Sequence, residues 1–244
     1  MATVTGRAHR TSGQGGSIIR PSPNFGARRD GLLPALVVLH FTGMQGLDAA
    51  LERLCDPAVE VSAHYLIATD GRVFALVPEP ARAWHAGAGS WGGHGDVNSR
   101  SIGIELDNPG DRPFSEPQMT ALEDLLAGVM ARWRIAPQGV IGHADMAPER
   151  KHDPGPRLDW RRLALSGLSV WPQERPAEQA GGWQAFLAAA ARFGYPADAR
   201  REAVLAAFRA RFRPWARGVL DAGDVATARD LAARYGIDRT GAGP

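Results

Sequence analysis

Three places in the sequence carry side chains suited to metal-assisted hydrolysis. His40 closes the apolar run at residues 35–40 (ALVVLH), Glu105 lies near the end of residues 101–106 (SIGIEL), and the segment 142–156 (GHADMAPERKHDPGP) supplies His143, Lys151, His152 and Asp153. A mononuclear metal hydrolase needs three histidine or carboxylate ligands and one open position. It also needs a base for the attacking water and a cation or donor for the developing oxyanion. Ligands that lie far apart in sequence have no fixed interval, so spacing alone does not establish a site. On residue type alone, the two histidines and Asp153 serve equally well as structural groups, Glu105 as a strand-end carboxylate in an ion pair, and Lys151 as a surface cation. One compositional fact singles Lys151 out: of 28 Lys and Arg residues it is the single lysine. A compact ammonium with movable donors does work at a reacting atom that a planar guanidinium does less well. P-loop, GxSxG, HExxH and CxxC patterns are absent.

These residues must be held by regular elements, and the hydrophobic pattern predicts which. Residues 35–40, with adjacent valines, read as a buried strand. Residues 48–54 read as a short helix that Asp48 could cap. Runs at 64–68 and 72–77 flank Asp70-Gly71, a hairpin signal because glycine accepts positive φ without steric cost. In 101–106 the alternation puts Ile102, Ile104 and Leu106 on one face and Gly103 and Glu105 on the other. The clearest helix spans 116–134, opened by a Ser115/Gln118 capping box. Its apolar stripe is Met119, Leu122, Leu125, Leu126, Val129, Met130 and Trp133. A further short helix starts at Asp159, and residues 22–26 read as an ordered loop. If the segment around 152 is extended, Lys151 and Asp153 point one way and His152 the other. Strands mixed with helices in this order predict an α/β (α+β) fold, a central mixed β-sheet flanked by helices.

With 44% hydrophobic and 22% charged residues the chain can bury a real core. A formal net charge of +2 gives no electrostatic case for nucleic acid or a membrane surface as partner. No segment approaches the ~20 consecutive apolar residues of a membrane span. Cys55 is the single cysteine, which excludes an intrachain disulfide and suits a small buried hydrophobe better than a reactive thiol. The first residues contain no apolar run of signal-peptide length, so the expectation is a cytoplasmic protein, periplasmic if translation starts upstream.

Five segments together carry a family resemblance: VVLHFTGM (37–44), VSAHYLIATDG (61–71), AWHAG (83–87), NSRSIGIEL (98–106) and the 142–156 segment. In their order and approximate spacing they resemble the AmpD and AmiD branch of the N-acetylmuramoyl-L-alanine amidases, distant relatives of the peptidoglycan-recognition proteins. The resemblance spans roughly residues 20 to 170. It implies Zn2+ held by His40, His143 and Asp153, Glu105 activating the attacking water, and Lys151 stabilising the tetrahedral oxyanion. The implied reaction cleaves the amide between N-acetylmuramic acid, expected in the 1,6-anhydro form, and L-alanine of peptidoglycan stem peptides, in cell-wall recycling. Peptidoglycan fragments are the implied partners and a monomer is expected.

The expected organisation is a flexible segment at 1–16, a zinc amidase domain at 17–170, a linker at 171–182 and a three-helix module at 183–244. That module resembles the peptidoglycan-binding module of the AmiD-like group in AFRARFRPW (207–215) and LAARYG (231–236). A plain helical appendage packed for stability is the other reading. Trp84 and His85 are candidates for substrate contact, with core packing as the alternative for Trp84. His64 is expected to be internally hydrogen-bonded. His94 and His152 have no assigned role, and Asp145 is a second carboxylate near the ligand segment. Two competing functions remain at this stage: a non-catalytic peptidoglycan-recognition module, and an exported autolysin-type amidase acting on intact wall.

Overall fold

Alternation along two strands divides the molecule into layers. In the computed structural model, which describes residues 16–173 and 181–237, Val37 and Leu39 of β3 (Leu36–Phe41) lie on one side of the sheet. Ile102, Ile104 and Leu106 of β7 (Ser101–Leu106) share that side. All five pack with the stripe of α3 (Glu116–Trp133) and with Trp160 and Leu163 of α5 (Trp160–Leu165). Residues of the other parity, Val38 and His40 beside Gly103 and Glu105, face the opposite layer. Period two in the sequence therefore decides which residues are core and which are available for chemistry.

The remaining strands are β1 (Ile18–Ile19), β2 (Phe25–Gly26), β4 (Tyr65–Ile67), β5 (Val73–Ala75), β6 (Arg82–Ala83) and β8 (Val140–Gly142). The main sheet has the order β1-β5-β4-β7-β3-β8. β4, β7, β3 and β8 are parallel, β5 runs antiparallel to β4, and β1 is parallel to β5. β2 and β6 form a separate two-stranded antiparallel sheet. The mixed sheet expected from the sequence is present. Its hairpin turns at Asp70-Gly71, where Gly71 has φ 88° and donates to the Ala68 carbonyl at 3.0 Å.

Two capping expectations are corrected. α1 (Leu47–Cys55) is entered through Gly46 at φ 105°, a conformation open to glycine; Asp48 lies in the first turn, where a negative charge suits the helix dipole, and does not cap. At α3, Ser115 accepts from the Gln118 N–H at 3.3 Å, which is one half of a capping box. Gln118 is wholly buried, and its amide donates instead to the carbonyls of Ile67 at 2.8 Å and Asp107 at 3.2 Å. Satisfying two buried strand-end carbonyls outweighs a reciprocal cap at an exposed helix start. Asp159 does cap α5, accepting from the Arg162 N–H at 2.9 Å.

The opposite layer contains α1 over the Leu66–Phe74 region and, beside it, three helices: α6 (Gly182–Phe193), α7 (Arg201–Phe212) and α8 (Ala222–Tyr235). On α7 Val204, Phe208 and Phe212 form a buried stripe, and on α8 Val225, Ala228 and Leu231 form another, with Tyr235 half-buried at its end. They share one hydrophobic cluster with Val38 of β3, Ile141 of β8 and Met146. Two further short helices among the described residues are α2 (Val97–Arg100) and α4 (His143–Met146). Of the expected linker, residues 174–180 lie outside the described residues, as do residues 1–15 of the expected N-terminal segment. No helix among the described residues is long and apolar enough to cross a membrane.

Candidate active site

Parallel pairing brings the chemical groups together. In register, His40 on β3 is the partner of Glu105 on β7, so two side chains 65 positions apart become neighbours on one face. β8 is also parallel to β3 and ends at Gly142, which places His143 at the first position of α4 beside them. His40, Glu105 and His143 therefore cluster at the carboxyl ends of three adjacent parallel strands, where open α/β sheets place their ligand sites. The loop after α4 returns so that the Ala144 N–H donates to the Asp153 carbonyl at 2.9 Å, which brings Asp153 beside the two histidines.

The resulting cluster is tight. His40 Nδ1 lies 2.9 Å from His143 Nδ1 and 3.0 Å from Asp153 Oδ2, and His143 Nδ1 lies 3.1 Å from the same oxygen. All three residues are buried. His143 Nε2 stands 2.9 Å from the Ala86 carbonyl, which can only accept, so the neutral ring carries its proton on Nε2 and presents a lone pair on Nδ1. Burial, with the adjacent His143 second, pushes the His40 pKa down to about 4, so His40 is neutral at physiological pH. Acceptor atoms thus converge on one point, an arrangement that a cation relieves. Three tetrahedral ligands about 2.0–2.2 Å from a single ion stand roughly 3.3–3.6 Å apart, so these three atoms need move outward by only a few tenths of an ångström to admit one. His40, His143 and Asp153 can hold a metal ion.

Glu105 and Lys151 line the same cavity, together with Phe41, Thr42, Met44, Arg53, Trp84 and His85. Glu105 Oε2 is buried and has no hydrogen-bond partner among the described residues. Burial raises its pKa to about 8, Asp153 adds to the rise, and the Lys151 ammonium opposes it. A carboxylate so perturbed and aimed into a cavity is suited to taking and returning a proton. The shift has a stability consequence for the metal-free protein. Between its ordinary value of 4.5 and about 8, the folded chain binds the Glu105 proton more tightly than the unfolded chain, so stability falls as pH rises. The buried His40 and His64, both lowered to about 4, act in the opposite sense, and their contribution is complete above their ordinary value of 6.5. The metal-free wild type should therefore lose thermal stability from pH 6.5 to 8 while Glu105→Gln should not, as read from melting temperature against pH; parallel curves would remove Glu105 as the cause.

The other candidates separate cleanly. His64 is fully buried, accepts from the Gly103 N–H at 2.9 Å and stands 3.1 Å from the Ala81 carbonyl, the internal hydrogen bonding expected of it. His85 lines the cavity and touches His40, with its Nδ1 3.1 Å from His40 Nε2. Trp84 is half-buried on the cavity wall. His152 turns away from the cluster onto the Phe41 ring, 5.4 Å between centroids. His94 is exposed. Asp145 is not beside the ligands: it is buried and paired with Arg211 at 2.7 Å. Ser101 and Arg150 were not picked out from the sequence. Arg150 donates to the Ala86 and Ala88 carbonyls at 2.6 Å, which fastens the loop that holds His143. A serine opening a strand and one arginine in an arginine-rich chain carry no local signal.

The family model of N-acetylmuramoyl-L-alanine amidases matches residues 30–156, which contain both histidines, Glu105, Lys151 and Asp153. The chain belongs to this amidase family. N-acetylmuramoyl-L-alanine amidase AmiD of Escherichia coli strain K12 is 36% identical over 240 residues, covering 83% of this chain and 84% of that protein. The 1,6-anhydro-N-acetylmuramyl-L-alanine amidase AmpD of Citrobacter freundii is 35% identical over 160 residues, 59% of this chain and 86% of its own. Among solved structures, the complex of E. coli AmiD with anhydro-N-acetylmuramic acid-L-Ala-D-γ-Glu-L-Lys superposes with a TM-score of 0.77 at 36% identity, over 86% of this chain and 93% of that one. The AmiD match thus reaches well beyond the length of the AmpD match in this amidase.

Proposed function

We propose that this amidase hydrolyses the amide between the lactyl carbonyl of 1,6-anhydro-N-acetylmuramic acid and L-alanine of stem peptides, with a zinc ion held by His40, His143 and Asp153. The observation that carries this reading is the convergence of three acceptor atoms within 2.9–3.1 Å of one another at the floor of a cavity that Glu105 and Lys151 also line. Two imidazole nitrogens and one carboxylate oxygen suit zinc better than magnesium or calcium, which favour all-oxygen sets. A metal held there would supply Lewis acidity, to polarise the scissile carbonyl and to lower the pKa of water toward about 7.

The chain's own groups do the rest. Glu105 takes the proton of the attacking water and returns it to the departing L-alanine nitrogen, which balances the hydrolysis. The Lys151 ammonium faces the carbonyl oxygen as it becomes an oxyanion. Trp84 on the wall offers an apolar face to the sugar or peptide. A full ligand set beside a proton carrier and a cation has no use in a protein that only recognises its ligand, so catalysis is favoured over recognition. The three C-terminal helices are proposed to contact the glycan strand, as a peptidoglycan-binding module would; the length of the AmiD match supports this.

The test uses purified protein with 1,6-anhydromuropeptide and, separately, intact sacculi, with products identified by mass. Free stem peptide and anhydromuramic acid are expected, with about one zinc per chain, loss of activity on chelation and recovery with zinc. Full activity in metal-free protein would refute the metal role. Release from sacculi alone would move the substrate to the intact wall, and cell fractionation would then locate the protein.

A further inference from the structure

A metal ligand is only as good as its tautomer, and for His40 the structure contains a chain of hydrogen bonds that sets it. The Ser101 hydroxyl donates its single proton to the Val97 carbonyl at 2.6 Å. Towards His85 Nε2, 3.2 Å away, the Ser101 oxygen can then only accept, so the His85 proton is on Nε2. His85 Nδ1 is left with a lone pair that faces His40 Nε2 at 3.1 Å, so His40 must supply the proton of that bond. His40 Nδ1 is therefore the unprotonated nitrogen, and it is the atom turned to His143 and Asp153. Reversing any one link puts two protons or two lone pairs against each other inside the protein, at the cost of a buried unsatisfied pair.

A second observation points the same way. A Cβ placed on Gly103 would stand 2.4 Å from His85 Cγ and 2.7 Å from its Nδ1. Gly103 is not among the residues with positive φ, and it sits mid-strand, where glycine weakens a sheet. Its own backbone does not require glycine; the ring of His85 does. β7 thus gives up a side chain to let the His85 ring reach His40, which it meets edge-on at 81°.

We propose that His85 and Ser101 are positioning residues which, through the bonds Val97 C=O to Ser101 O–H, Ser101 Oγ to His85 Nε2–H and His85 Nδ1 to His40 Nε2–H, lock His40 with its Nδ1 lone pair turned to the metal. The inference rests on the metal reading of the His40–His143–Asp153 cluster. It takes His85 out of the role of substrate contact and gives it the role of orienting a ligand, as groups hydrogen-bonded to metal-bound histidines do.

The test measures zinc affinity by competition with a chromophoric chelator, and reads the His40 ring-nitrogen chemical shifts of metal-free protein by NMR. Wild type should bind one zinc and show His40 protonated on Nε2. His85→Leu should weaken zinc about 10–100-fold, the range for removing such a partner, and mix the His40 tautomers. His85→Asn, which keeps an acceptor where Nδ1 stood, should restore most of the affinity. Ser101→Ala and Gly103→Ala, neither of which touches His40, should weaken zinc in the same direction. Circular dichroism of the metal-free variants checks that each is folded; should His85→Leu fail to fold, Ser101→Ala carries the test. Undiminished zinc affinity with an unchanged His40 tautomer in folded Ser101→Ala and Gly103→Ala would overturn the proposal. So would equal weakening by His85→Leu and His85→Asn with the tautomer intact, since that is the signature of packing alone. Absence of zinc binding by the wild type would instead sink the metal reading itself.

Discussion

Glu105→Gln should lower turnover on anhydromuropeptide by about 10²–10⁴-fold, the usual contribution of a positioned proton-transfer group, while zinc content stays at one per chain. The amide keeps the size of the side chain and cannot take a proton from water. Glu105 is on β7, one strand from His40 and in register with it, yet its oxygens make no bond to the three clustered acceptor atoms. Rate and metal content should therefore separate in this variant. In Asp153→Ala they should fall together, because an acceptor of the cluster is gone. Metal analysis beside steady-state rates decides it: near-normal turnover in Glu105→Gln would reassign the base, and lost zinc would make Glu105 part of the ligand set.

The second large effect lies where the C-terminal helices meet the sheet. Arg211 of α7 and Asp145 of α4 pair at 2.7 Å with side-chain exposures of 2% and 3%. Tyr195 donates to Asp145 at 2.5 Å, and the Gly142 N–H does so at 2.8 Å. Arg211 also donates to the Val140 carbonyl at 2.8 Å and lies over the Trp160 ring at 4.3 Å. Removing one member of a buried pair leaves a bare charge and costs roughly 3–5 kcal/mol. For a chain of this size that is a fall in Tm of about 6–20 °C. Arg211→Met should show it, and Arg211→Met with Asp145→Leu should recover part, since that pair leaves no charge behind. A melting curve for Arg211→Met within about 1 kcal/mol of wild type would mean that water reaches the pair. Asp145 precedes the ligand loop by a few residues and shares α4 with His143, so the single variant should also hold zinc less firmly.

Much of the scaffold was legible because its signals are local. The apolar stripe of α3, the β7 alternation and the turn at Asp70-Gly71 each depend on neighbours a few residues away, and all are present in the fold. The failures were also local in kind. Asp48 and Gln118 were read by their cap propensities, but Gly46 already turned the chain at one helix, and two buried carbonyls claimed the Gln118 amide at the other. β8, only three residues long, was invisible to periodicity, yet it delivers His143. Asp145 and Asp153 looked alike in one loop. An arginine 66 positions away separated them.

By itself the sequence determined the family, the layered fold and a short set of chemical residues, because motif order and hydrophobic period survive in one dimension. The tertiary structure decided which nitrogen of each histidine is free, which carboxylate belongs to the cluster, and that the C-terminal helices complete the core beneath the site. Those outcomes depend on hydrogen-bond partners and packing distances, which exist once the strands are paired and have no trace in residue spacing.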